Sequence, residues 1–74
     1  MEKEISYRIK VLGELDQKWS GRLGGMSISV DRNDNDETVT MLVGLLRDQA
    51  ALTGVLLTLD ELHHPIISVQ RLRK

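Results

Sequence analysis

The stretch Asp48-Gln49-Ala50-Ala51-Leu52-Thr53-Gly54-Val55-Leu56-Leu57-Thr58-Leu59-Asp60-Glu61-Leu62 decides the fold. Leu52, Val55, Leu56, Leu59 and Leu62, with Ala51, recur at spacings of three and four, the stripe of an amphipathic helix with one face in a core. Asp48 is its N-cap, a carboxylate placed to accept from the first free backbone amides at the positive end of the helix dipole. Gly54 inside the helix costs about 1 kcal/mol against alanine, and close packing against a neighbouring sheet is the expected reason for it. Pro65 ends the pattern.

Working outward, the segments on either side read as strands. Ile66-Ile67-Ser68-Val69-Gln70-Arg71-Leu72 follows the helix, leaving Arg73-Lys74 as a basic tail. Before it, Thr38 to Leu46 alternates with Val39, Met41, Val43 and Leu45 expected inward, while Leu42 and Leu46 make the other face apolar too. A strand apolar on both sides belongs in a sheet interior. Asp31 to Glu37 is the most polar window, with Asn and Asp side chains that bond to nearby backbone, and it reads as a hairpin loop. Met26-Ser27-Ile28-Ser29-Val30 is a short strand with Met26, Ile28 and Val30 inward. Ile5, Tyr7, Ile9 and Val11 alternate with polar residues in a first strand from Ile5 to Leu12. Between these two, Asp16 to Leu23 reads as a turn, with Trp19 and Leu23 on its inner side, and Gly24-Gly25 releases the chain into the next strand.

The order is therefore β-β-β-α-β, an α+β two-layer sandwich in which one helix covers one face of a four-stranded sheet. Strands joined through a helix run parallel. Two sheet orders meet that requirement. The favoured one is 2-3-1-4, ferredoxin-like with its first helix reduced to a turn, because it makes the third strand internal. The other is a meander of the first three strands with the fourth beside the first.

With 74 residues, the chain is expected to form a single domain over 1–74. Its 41% hydrophobic and 28% charged residues are those of a globular protein. Formal net charge is −1, which supplies no field for steering phosphate backbones or cationic partners. Without cysteine there is no disulfide framework, thiolate metal site or cysteine nucleophile. A core this small without covalent staples hints at self-association. No apolar run approaches the roughly 18–20 residues of a membrane span. The charged start Met1-Glu2-Lys3-Glu4 lacks the apolar run of a secretory signal, so a cytoplasmic location is expected.

The pattern Leu46-x-Asp48-Gln49-Ala50-Ala51-Leu52-x-Gly54-x-Leu56, followed by Pro65 and Ile67-Ser68-Val69 and preceded by Tyr7, Gly13, Leu15 and Trp19, resembles one found in short bacterial proteins without an assigned activity. The resemblance spans most of the chain. It implies the fold and carries no catalytic or ligand residue, since each shared position reads as cap, core or turn.

Candidate chemistries fail on residue type or spacing. Asp31, Asn33 and Asn35 fit the first ligands of a calcium loop, but Asp36 stands where its glycine belongs and Leu42 where its bidentate glutamate belongs. His63-His64 are adjacent and point different ways, whereas a transition-metal site needs three or four convergent ligands. They read as residues of the helix end. No Ser or Thr sits in a pattern with a positioned base. Gly21-Arg22-Leu23-Gly24-Gly25 leads into a strand and lacks the lysine of a phosphate loop. Sheet-borne RNA recognition relies on aromatic platforms, and the chain has no Phe, one Tyr and one Trp. Neither nucleic acid nor membrane is expected as a partner, and no catalytic residue, cofactor or metal is expected.

What remains is the second face of the sheet, expected to carry Ser6, Arg8, Lys10, Ser27, Ser29, Thr40, Leu42 and Leu46. Arg8 and Lys10 are expected first of all to keep this face soluble, a modest anion patch shared with Arg71 and Arg73 being the second reading. Leu42 with Leu46 forms an apolar strip that is either isolated exposed residues or the middle of a homodimer contact. The leading expectation is a non-catalytic interaction module, homodimeric or docked on another protein through this face or an edge strand. The alternative is a small-ligand regulatory domain of the ACT-like kind, holding an amino acid or organic acid at a dimer interface against Arg8 or Lys10.

Overall fold

The computed structural model describes residues 5–72, so the readings made of Met1–Glu4 and of Arg73-Lys74 lie outside the described residues. Strand β1 spans Ile5–Leu12, a 3-10 helix Gln17–Leu23, β2 Ser27–Arg32, β3 Thr38–Leu46, helix α1 Gln49–Glu61 and β4 Ile66–Leu72. The four strands form one sheet in the order β2-β3-β1-β4 with antiparallel neighbours. β3 and β4 both oppose β1 and so run the same way, as a connection through α1 requires. This is the ferredoxin-like order favoured above.

α1 begins where its cap says it should: the Asp48 carboxylate accepts from the Ala51 amide at 2.8 Å. Val55 and Leu59 enter the core, with Ala51, Leu52, Leu56 and Leu62 packed at its margin. The helix ends in two backbone bonds, His63 N–H to Asp60 C=O and His64 N–H to Leu59 C=O, closed by His63 at φ 63°. Gly54 departs from expectation. It faces open space, with nothing within 4 Å of a Cβ built there, so no neighbour explains it.

The segment after β1 is more regular than the expected turn. Seven residues form a 3-10 helix capped by the Asp16 carboxylate on the Lys18 amide and ended by Gly24 at φ 72°. Gln17 Nε2 donates to the Ile28 carbonyl and Ser20 Oγ to the Met26 carbonyl, both at 2.8 Å. These bonds tie the segment to β2 and seat Leu23, which is fully buried, at one end of the core.

The face of β3 that enters the core is the opposite of the expected one. Ile9 pairs with Leu42 and Leu42 with Ile28, and directly opposed residues share a face. Thr40, Leu42, Gly44 and Leu46 therefore point toward α1. Val39, Met41, Val43 and Leu45 point away. Leu42 is 0% and Leu46 3% exposed, both in the cluster formed with Ile9, Val11, Leu15, Leu23, Met26, Ile28, Val55 and Leu59. Gly44 sits in this inward line because Met26 crosses it; a Cβ there would stand 3.1 Å from Met26 Cα. Thr40 is inward and polar, and it is satisfied. Its hydroxyl donates to the Gly13 carbonyl at 2.6 Å and accepts from the Leu15 amide at 3.0 Å, holding the chain where it leaves β1.

Candidate functional site

α1 lies over β3 and the 3-10 helix. On the far side of the sheet no described element covers the strands. The register lays this open face out in rows. Val39, Met41, Val43 and Leu45 run along β3; Ser27, Ser29 and Asp31 flank them on β2; Arg8, Lys10 and Leu12 flank them on β1; Ser68, Gln70 and Leu72 follow on β4. Val39 is buried between its neighbours Leu12 and Asp31, Met41 and Val43 are half-buried, and Leu45 is 55% exposed. The apolar strip on the open face is thus longer than the expected Leu42–Leu46 pair and made of different residues.

Arg8 and Lys10 stand on the open face as expected, beside Val43 and Met41. Both are half-buried, their stems lying along apolar neighbours. Arg71 does not join them. It pairs with Tyr7, which packs against the core cluster, so Arg71 points to the helix side. Arg73 lies outside the described residues. Asp31 is the one carboxylate that the described strands place on this face, and its Oδ1 accepts from the Arg32 amide at 2.8 Å.

The sheet has a second apolar margin. β4 is an edge strand, and Ile66 and Val69, paired with the inward Val11 and Ile9, lie on the helix side beyond the reach of α1; they and Ile67 are each more than two-fifths exposed. A register shift opposite Lys10/Val11 bends the strand there.

The remaining candidates have structural roles. Asn33 Oδ1, the would-be calcium ligand, accepts from the Asn35 and Glu37 amides, both at 2.9 Å, and so builds the hairpin tip. His64 Nδ1 lies 2.9 Å from the Leu12 carbonyl, which only accepts, so the proton sits on Nδ1. His63 is exposed and shapes the helix end. Among the described residues, no group of three or more His, Cys, Asp or Glu is placed to hold a metal ion. A further feature went unread in the sequence: Lys18 Nζ and Arg22 Cζ lie 5.6 and 5.5 Å from the centre of the Trp19 ring, so the half-buried indole has cations of its own over it. No described helix is long and apolar enough to cross a membrane.

A family model described as Domain of unknown function (DUF8691) matches residues 6–70. No curated protein and no solved structure matches the chain.

Proposed function

We propose that this chain, which belongs to the DUF8691 family, is a non-catalytic interaction module that self-associates through the open face of its sheet. The observation that carries the reading is the strip Met41–Val43–Leu45, continued by the buried Val39, on a face that no described element covers. A row of apolar side chains flanked by polar rows is the layout of an interface with a dry centre and a wet rim. Small domains without disulfides also gain stability from a second copy. The proposal keeps the protein in the bacterial cytoplasm, away from nucleic acid and membrane, which fractionation of the host checks.

The face is four strands wide, roughly 19 Å by about 23 Å. That footprint belongs with the smaller, reversible interfaces. Association should therefore appear in the micromolar range or above, and sedimentation velocity over a concentration series reads it. Leu45→Glu should leave a folded monomer, whereas Leu57→Glu, at a helix position that is 60% exposed, should leave the association unchanged. A wild type that stays monomeric at millimolar concentration refutes the reading.

The β4 edge supplies a second reading, supported by exposed Ile66, Ile67 and Val69 beside unpaired backbone groups. Should Val69→Lys abolish association while Leu45→Glu does not, the edge is the interface. The small-ligand alternative draws on Arg8 and Lys10 lying on a face poor in carboxylates. Binding to the native state alone raises the melting temperature, so a panel of amino and organic acids separates that reading from both others.

A further inference from the structure

Resting on the reading that the open face self-associates, we infer that two copies stack these faces about a two-fold axis running along β3, which sets the Arg8–Lys10 row of each over the Ser27–Ser29–Asp31 row of the other. β2 and β1 flank β3 on opposite sides. Rotation by half a turn about an axis along β3 exchanges those sides and keeps the strand direction. The strip then meets its own copy, apolar on apolar. Lys10, Met41 and Ser29 lie at one level of the register, and Leu12, Val39 and Asp31 at the next. Lys10 thus stands over Ser29 of the second copy, with that copy's Asp31 one level along the strand, about 7 Å away and within the sweep of a lysine stem.

Two other stackings set charge against charge or charge against grease. An axis crossing the strands lays each row over its own copy, so that Arg8 and Lys10 face Arg8 and Lys10. Like charges brought together in an interface select against that arrangement. An axis between β1 and β3 lays the cations on the apolar strip of the other copy, where neither finds an acceptor. Only the axis along β3 joins the strip to itself and gives the cationic row a row of hydroxyls ending in a carboxylate. Aligned sheets cross at about 30°, so the axis lies within roughly 15° of β3.

Charge reversal tests the arrangement in the full chain. Lys10→Glu and Asp31→Lys should each weaken dimerisation about fivefold or more, and the two together should restore it to within about twofold of wild type. Singles without effect, or a double variant at least as weak as either single, overturn the axis while leaving self-association standing. No association by the wild type overturns the underlying reading instead. Cross-linking gives a test independent of charge and of whether Lys10→Glu folds. The chain has no cysteine, and sheets stacked about 10 Å apart suit a short bis-maleimide better than a direct disulfide. With the axis along β3, Met41→Cys, Val43→Cys and Leu45→Cys each cross-link to their own copies. If only one of the three does so the axis crosses the strands, and if none does it lies off β3; either result overturns the inference.

Discussion

Thr40 shows how much of this fold hangs on single side chains. Fully buried, it bridges the Gly13 carbonyl and the Leu15 amide at the point where the chain leaves β1 for the 3-10 helix. Thr40→Val keeps the shape and strands both backbone groups, so unfolding in urea should show a loss of about 2–4 kcal/mol. A change below about 0.5 kcal/mol would mean that water replaces the hydroxyl. Neither this role nor that of Gly44 was legible in the sequence. Each stands in an inward line that reads as the weaker one: Thr40-Leu42-Gly44-Leu46 looks less apolar than Val39-Met41-Val43-Leu45. Local hydropathy chose the wrong line because it cannot see Met26 crossing Gly44 or the backbone groups that Thr40 serves. Hence Leu42 and Leu46, expected on the surface, are core, and the surface residues are their odd-numbered neighbours.

Elements with a cap and a period were readable, and those that depend on a partner were not. α1 carries its own start signal at Asp48 and its own stripe, and β1, β3 and β4 have the expected bounds. Loop parity held the missing information for β3. The loop closed by the Arg32–Thr38 pair holds an odd number of residues, so residues of like parity face each other across the hairpin, and an inward Ile28 demands an inward Leu42. The expected loop from Asp31 to Glu37 is odd as well, so the same constraint stood in the sequence, and the more apolar odd-numbered line was preferred over it. Helix α1 also makes two predictions at its own scale. Gly54 faces open space, so Gly54→Ala should raise stability by about 0.5–1 kcal/mol, read as a higher urea midpoint at unchanged slope. His63 at φ 63° closes the helix in a conformation that favours glycine, so His63→Gly should add about 1 kcal/mol. A loss at His63 would show that its ring contributes more than its backbone strain costs.

Across the whole molecule, no group of three or more His, Cys, Asp or Glu among the described residues is placed to hold a metal ion, and exposed apolar side chains include Leu45 on the open face and Ile66, Ile67 and Val69 along β4. The proposed association through the open face would add a second layer to a sheet on which the described residues place a helix on one side only. It would also take Leu45 and the half-buried Met41 and Val43 out of contact with water. Melting temperature should therefore rise with protein concentration, as linkage between folding and association demands. The central claim is met most directly by sedimentation equilibrium of the wild type beside Leu45→Glu. The account predicts a wild type in concentration-dependent exchange between one and two copies and a Leu45→Glu variant that is folded and monomeric throughout. A variant that dimerises as well as the wild type would contradict it.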